Sequence, residues 1–519
     1  MSPVSARALF RNAHLLIAVF AGAASVLAFA PFGLFPVVIA ALVVLTVLWR
    51  RAASARRGAL IGFVFGLGYF VTGVSWVYVS LHDFGEMPAV LAAVLTLAFC
   101  CILALYPAFI GYVYCALGPR STVAAVIVLP ALWALADWTR GWLFTGFPWL
   151  AVGYSQVPLS PLAGFAPIVG VYGITYACAL TASLLIVLWP ARGDRGQDTT
   201  SRSSRWLAIG AVVVVWLCGY ALQQVRWTVP DGPPVSVTLL QGNIPQDMKW
   251  RPELVAPTLE TYEKLVVASR ARLIVMPETA LPTFLHEVPP EYLAALAAHA
   301  RSNGGDVLIG VPEFTTGDYY NSVLSFGMAP TQTYRKSHLV PFGEYIPWKL
   351  LFGWFFDVVQ IPLLDFGRGS ETQQPLQVAG QRVAVDICYE DVFGAEIIRQ
   401  LPQATLLVNV SNVAWFGRSI APRQHLQSSQ TRALETGRFM LRATNTGMTA
   451  IIDAQGRVIS EAPEFERAAV NGDVQGYAGA TPFVRGGNLP IIVLCLLLAL
   501  GGGWLARRGN SKIHGSPIA

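Results

Sequence analysis

With 54% of its 519 residues hydrophobic and only 13% charged, this chain is composed for a bilayer rather than for water. Its net charge of +6 sits mainly in short Arg tracts beside apolar runs, with no basic patch interleaved with aromatics, so no nucleic-acid partner is expected. Of seven cysteines, Cys100, Cys101, Cys115, Cys178, Cys218 and Cys495 lie in apolar runs where a free thiol behaves as a small hydrophobe, which sets Cys388 apart and argues against a disulfide framework.

Apolar stretches fall at 13–30, 32–49, 58–80, 88–117, 121–139, 160–189, 206–224 and 488–506. About 20 residues cross a hydrocarbon core, so eight spans are predicted. The first two share the turn APFGLFP and alternatively form one re-entrant hairpin, which returns the chain to the same side. Residues 7–30 also carry features of a cleaved signal peptide, with Arg7 and Arg11 ahead of an apolar run and AFA at 28–30; seven further spans make a separate export signal unnecessary. Arg7, Arg11, RRAASARR (50–57), Arg120, ARGDRGQDTTSRSSR (191–205) and ARRGNSK (506–512) then all lie on one face of the membrane. The positive-inside rule makes that face cytoplasmic and puts 226–487 outside. The expected organisation is a helical bundle over 1–225, an external domain over 226–487, and a last span with a cytoplasmic tail over 488–519. Asp137 and Arg140, at the outer end of the fifth span, form a structural ion pair or alternatively touch lipid headgroups, the structural reading being preferred.

Within 226–487 the texture changes. Short β-branched runs predict strands over 235–241, 272–277, 306–312, 321–326, 382–388, 404–411 and 448–454. Apolar spacing near 3.6 predicts helices over 253–270, 290–303, 391–400 and 422–437. Alternating elements with fully apolar strands imply a sheet covered by helices, and about 260 residues suffice for one such domain.

Three polar residues follow strand-like runs, where open α/β sheets present their chemistry: Glu278 after RLIVMP, Lys336 in TYRKSHLVPFGEYIP, and Cys388 after RVAVDI. A free thiol has a pKa of about 8.5, so a nucleophilic Cys388 needs a nearby cation and a base, and Lys336 and Glu278 supply both. Glu278 is then the base, and Lys336 with the backbone N–H after Cys388 stabilises an oxyanion. Glu344 and Glu390 form a supporting shell that fixes the lysine. A dead scaffold does not require all of these groups, and a transporter needs more ionisable residues in mid-bilayer.

MPETALP (276–282), YRKSHLVPFGEYIP (334–347) and ICYED (387–391) resemble the Glu, Lys and Cys motifs of the carbon-nitrogen hydrolase (nitrilase) superfamily, in the variant found in bacterial apolipoprotein N-acyltransferases. Supporting blocks are FAPFG (29–33), TGFPWLAVGYSQ (145–156), QGNIPQDMKW (241–250), YNS (320–322) and RALETGRFMLRATNTGMTAIIDAQG (432–456), so the similarity covers almost the whole chain. The resemblance implies an external α-β-β-α sandwich beside a polytopic bundle, and a Glu278, Lys336, Cys388 triad with Glu344, Tyr389, Glu390 and Trp250 as further active-site positions. It implies phospholipid-dependent acylation of diacylated apolipoproteins through a Cys thioester, in the bacterial inner membrane with the catalytic domain periplasmic, by a monomer without metal or cofactor.

The aromatic segments 139–154, 346–366 and 414–419 suit an acyl-chain site at the bilayer, with Trp149, Trp415 and Phe416 as substrate-loop residues. The stretch 349–364 alternatively forms an interfacial helix or lid. Met276 departs from the family's usual Trp, and Val413 from its usual Asp. An amidase-type hydrolase using the same triad differs only in handing the acyl group to water.

Overall fold

The computed structural model describes residues 3–118, 121–188, 201–315, 317–349 and 365–514, with side chains over 13–508 of these. Arg120, most of the basic loop 191–205, and all but the first residue of the candidate lid 349–364 lie outside the described residues. The chain divides into two compact units: Met1–Tyr78, Met87–Val225 and Asn488–Ala519 in one, Val79–Glu86 and Arg226–Gly487 in the other.

The first unit is helical. Ala89–Ala116, Pro161–Val187, Arg202–Gln223 and Leu489–Arg508 are long and apolar enough to cross a membrane, and the pair Ala55–Gly73 and Trp76–Phe84, bent by 49°, adds a fifth if taken as one span. The eight predicted spans therefore reduce to four or five among the described residues. Two of the others form only the shorter apolar helices Ala13–Ala28 and Pro36–Arg50. At 1.5 Å per residue a 15-residue helix such as Pro36–Arg50 reaches about 22 Å, short of a hydrocarbon core of about 30 Å. Stretch 121–139 is broken into a π-helical turn, Ala124–Val128, and a 12-residue helix, Leu129–Arg140.

Near the end of that helix, Arg140 Nη2 meets Asp137 Oδ1 at 2.9 Å. Asp137 Oδ2 accepts the Val152 N–H at 2.8 Å and the Thr175 hydroxyl at 3.0 Å, while Arg140 donates to the carbonyls of Phe147 and Trp149. The buried pair thus fastens the loop that follows the helix, which is a structural role.

The second unit holds two six-stranded sheets and a small ribbon. In chain order the strands are β1 (Val229–Pro230), β2 (Val235–Gln241), β3 (Leu273–Val275), β4 (Asp306–Thr315), β5 (Asp318–Gly327), β6 (Thr333–Arg335), β7 (Leu376–Val378), β8 (Gln381–Ile387), β9 (Leu406–Ser411), β10 (Met440–Thr444), β11 (Ala450–Ile452), β12 (Val458–Glu461), β13 (Ala468–Val474) and β14 (Tyr477–Ala478). One sheet runs β13-β2-β3-β4-β5-β6, the other β12-β11-β10-β9-β8-β7, and β1 pairs with β14. β2, β3 and β4 are mutually parallel, as are β8, β9 and β10. Parallel strands are covered on both faces, which is why LIV in β3 and LLVNVS in β9 are buried throughout.

Side chains of a strand alternate between faces, and here each face has its own core. Val237, Leu239, Val275 and Leu308 of one sheet meet Val385, Ile387, Val408, Val410 and Leu441 of the other. Alternate residues Leu240, Ile274, Val307 and Ile309 pack outward with Tyr262, Val266 and Leu296 from helices Pro252–Ala268 and Pro290–Ser302. On the far side Ala384, Leu407, Met440 and Ile452 pack with Leu426 and Ala433 of helix Ala421–Thr436. The layers are α-β-β-α.

Two expectations fail locally. The helix predicted over 391–400 is a string of short turns, Cys388–Val392, Gly394–Ile397 and Ile398–Gln400. The strand predicted over 448–454 is only β11, and its neighbour β10 has no predicted counterpart.

Candidate active site

Glu278, Lys336 and Cys388 converge from three loops. β3 ends at Val275 and the chain turns through Pro277 to Glu278, with Thr279 at φ +44°. The neighbouring β4 carries Gly310 at the crossing, where a Cβ would lie 2.2 Å from the Pro277 carbonyl oxygen, so only glycine lets this turn fold over the sheet. Lys336 directly follows β6, its N–H donating to the Asn321 carbonyl at 2.8 Å. Cys388 directly follows β8 and is half-buried at the rim of the inter-sheet core. Its φ of +55° is rare for any residue but glycine, and such backbone strain costs about 1–3 kcal/mol.

Lys336 is 1% exposed and lies between two carboxylates. Its Nζ is 2.8 Å from Glu344 Oε1 and 3.5 Å from Glu278 Oε1. Asn321 Nδ2 donates to the same two oxygens, at 2.7 Å to Glu278 and 3.1 Å to Glu344. The Asn412 N–H donates to Glu278 Oε2 at 2.8 Å, and the Val340 N–H to Glu344 Oε2 at 2.8 Å. Lys249, also buried, donates to Thr279 Oγ1 at 2.6 Å and to the Glu278 carbonyl at 3.4 Å. Two carboxylates and two ammonium groups make the cluster neutral when all are ionised, the condition under which buried charges are tolerated.

The protonation states follow from these contacts. Burial pushes the Glu278 carboxyl up, but Lys336, Asn321, Lys249 and the Asn412 N–H outweigh it and hold the group below its ordinary value, as a carboxylate. Burial pulls Lys336 down, but Glu344 and Glu278 overcome this and raise it far above an ordinary lysine. Lys249 has no such close carboxylate partner; burial brings it to about 8 against the opposing pull of Glu278 and Cys388. Burial, then the Glu278 charge, push the Cys388 thiol far up, while Lys336 opposes them without prevailing. Lys336 thus pulls toward thiolate character, but the balance favours a thiol, with Glu278 as the nearby carboxylate.

Residues 21–184 match the apolipoprotein N-acyltransferase N-terminal domain, and residues 236–483 match the carbon-nitrogen hydrolase domain. The chain is 56% identical over 500 residues to the apolipoprotein N-acyltransferase of Nitrosomonas europaea, covering 96% of this chain and 98% of that one. The enzyme of the same name from Methylococcus capsulatus is 45% identical over 504 residues (96% and 97% covered), and that from Chromobacterium violaceum 44% over 501 (96% and 95%). The chain belongs to the apolipoprotein N-acyltransferase family. It is an acyltransferase of the carbon-nitrogen hydrolase superfamily.

The supporting residues divide by role. Glu344 touches the lysine ammonium. Glu390 instead ties two loops together: Oε1 accepts the Ser337 N–H (2.7 Å), the Ser337 hydroxyl (2.8 Å) and the His338 N–H (3.0 Å), and Oε2 accepts the Ile387 N–H (2.7 Å) and the Tyr334 hydroxyl (3.0 Å). It thereby locks the Lys336 loop to the turn that carries Cys388. Tyr389 is buried edge-on against Phe393, with ring centroids 5.0 Å apart.

Trp250, next to Lys249, is 47% exposed, and Trp415, three residues after Asn412, is 39% exposed. The Trp415 ring meets Phe84 edge-on at 6.4 Å, and its carbonyl accepts the Ser80 hydroxyl at 2.8 Å, so Val79–Glu86 packs on this loop. Phe416 lies edge-on to His425 at 6.4 Å. Trp149 departs from its expected place in an exposed substrate loop. It is 2% exposed and packed 4.9 Å from Trp76 in the core of the helical unit, with its carbonyl accepting from Arg140.

The two departures from the family pattern are both buried. Met276 joins Leu240, Tyr262 and Ile274 in the helix-facing core, and Val413 opens the buried turn after Asn412. Lys249, Asn321 and Asn412 have no role in the sequence reading, although QDMKW and YNS lie in its motif blocks.

Proposed function

We propose that the chain moves an acyl chain from a membrane phospholipid to the α-amine of an N-terminal diacylglyceryl-cysteine, by way of a thioester on Cys388. The observation that carries this reading is the buried Lys336 ammonium between Glu278 and Glu344, with Cys388 at the adjoining strand end. In the first half-reaction Sγ attacks the ester carbonyl while Glu278 removes the thiol proton. Lys336 donates to the oxyanion as it forms, and collapse expels the lysophospholipid alkoxide, which takes the proton back from Glu278. In the second, the neutral α-amine attacks the thioester, Glu278 accepts a proton from the attacking nitrogen, and the departing sulfur is reprotonated.

Both substrates are held in a leaflet by alkyl chains, and withdrawing one into water costs about 0.8 kcal/mol per CH₂. The apolar helices and the exposed Trp250 and Trp415 support a site that works at a lipid surface. The reading includes a catalytic unit on the periplasmic side of a bacterial inner membrane, the side that the basic tracts of the sequence favour when eight crossings are assumed. The reading takes a single chain as the working unit.

The test uses the full chain in mixed micelles with phospholipid and a synthetic diacylglyceryl-cysteine peptide. Mass spectrometry should find one acyl mass on the peptide α-amine and an equal amount of lysophospholipid. Free fatty acid beside an unchanged peptide identifies an amidase-type hydrolase instead.

Lys249 adds a pH signature. It loses its proton as pH rises through about 8, which removes a positive charge beside Glu278 and Cys388. The rate of Cys388 acylation is expected to fall along that rise. Lys249→Met should be about tenfold slower at pH 7, or ~1.4 kcal/mol in barrier, and should lack the alkaline fall. An unchanged fall in the variant removes Lys249 from this role.

A further inference from the structure

Behind Cys388 lies a second buried polar cluster that the steps above leave unused. The carbonyl oxygen of Cys388 accepts two hydrogen bonds, from Asn409 Nδ2 at 3.2 Å and from His425 Nε2 at 3.2 Å. Asn409 stands on β9 in register with Asp386 of β8, and His425 on helix Ala421–Thr436, so the oxygen is gripped from two separate elements.

His425 is itself fixed. Its Nε2 also lies 2.7 Å from Asp391 Oδ1, and its Nδ1 lies 2.9 Å from Arg442 Nη2. Both neighbours of Nε2 are oxygens that can only accept, and arginine can only donate. The ring is therefore assigned as neutral, with its one Nε2 proton shared between Asp391 Oδ1 and the more distant Cys388 carbonyl. Burial and then the Arg442 charge lower the His425 pKa, which agrees with that tautomer. Arg442 Nη1 continues to Asp391 Oδ2 (2.9 Å), Asn409 Oδ1 (2.6 Å) and Ser429 Oγ (2.9 Å), and Ser429 donates to Asp391. Arg442, Asp391 and His425 are all buried. The Asp391–Arg442 pair and a neutral imidazole leave no uncompensated charge within this trio.

We propose that His425 and Asn409 are positioning residues for the nucleophile: they clamp the Cys388 carbonyl and so hold the residue in the left-handed conformation that presents Sγ to Glu278 and Lys336. Arg442 and Asp391 set the tautomer and the aim of His425. Neither clamp residue touches the acyl group, so their loss slows the attack and leaves lipid binding unaltered. The inference rests on Cys388 acylation as the reaction of this site.

The test is burst kinetics of Cys388 acylation in the full chain, with phospholipid varied and no acceptor present. His425→Leu should lower the limiting rate about 100-fold, the cost of roughly 1 Å of misplacement at a reacting atom, with the half-saturating lipid concentration unchanged. His425→Gln supplies an N–H for the carbonyl and an oxygen for Arg442, and should recover to within about tenfold of wild type. Asn409→Ala, which removes the other donor, should fall in the same direction and carries the test should His425→Leu not fold. A folded His425→Leu that acylates at the wild-type rate overturns the clamp. So do equal rates for Leu and Gln, or an effect confined to lipid affinity. Alkylation of Cys388 by iodoacetamide, read by peptide mass, separates the two claims. A wild type that is alkylated but never acylated refutes the acyl-transfer reading, while slower alkylation of His425→Leu still upholds the clamp.

Discussion

Glu278→Gln is expected to slow thioester formation on Cys388 by about 10³- to 10⁴-fold while the chain stays folded. The size follows from the state of the thiol. Burial and the neighbouring carboxylates keep Cys388 protonated well beyond neutral pH, so the attack depends on a base at hand rather than on a standing thiolate. Glutamine keeps the shape and can still accept the Asn412 N–H, but it takes no proton. Its amide also sets a donor against Asn321 Nδ2 and the Lys336 ammonium, where Glu278 Oε1 now accepts. The check is the rate of acyl mass appearing on the protein, together with a cooperative melt. A near-normal rate in a folded Glu278→Gln assigns the proton transfer to another group.

Lys336→Met acts on both stability and chemistry. It removes the cation between Glu278 and Glu344, leaving a buried and a partly buried carboxylate joined through Asn321. Deleting one partner of a buried ion pair costs about 3–5 kcal/mol, so the melting point should drop. The oxyanion loses a donor worth about 3–4 kcal/mol, or 10²- to 10³-fold in acylation rate. There is also a signed pH effect. Lys336 is the largest influence holding the Glu278 carboxyl down, so without it that pKa rises, and residual activity should be lost at a higher pH on acidification than in wild type. Lys336→Arg should not rescue, because a planar guanidinium does not replace a compact ammonium between two carboxylates. Wild-type acylation with an unmoved acidic limb in Lys336→Met excludes both roles.

Glu278, Lys336 and Cys388 were legible as residues that would meet, because each follows a recognisable apolar strand or lies in a dense motif, and strand ends bring such residues to one edge. What surrounds them was not, for reasons found in particular residues. Helix Ala421–Thr436 was found, but its inward face carries Gln424, His425, Ser428, Ser429 and Arg432, all buried. Apolar spacing alone conveys none of that polar packing. β10 escaped notice because MLRAT centres on Arg442, a charge that burial in a strand makes improbable until its partners Asp391 and Asn409 are known. Lys249 stood beside a motif tryptophan, and its proximity to Glu278 depends on a turn some thirty residues away. In the helical unit, hydropathy overstated how many apolar stretches are unbroken helices of spanning length: the first two helices are short, and the break at Ala124–Val128 carries no strong polar signal.

The central claim is that the acyl group rests on Cys388 before any acceptor arrives. The direct measurement is the intact mass of the full chain after incubation with phospholipid alone, followed by addition of the diacylglyceryl-cysteine peptide. The predicted result is one acyl mass, mapped to Cys388 and absent from Cys388→Ala, which then leaves the protein and appears on the peptide amine. Peptide acylation without that adduct, or at an undiminished rate in Cys388→Ala, contradicts the account.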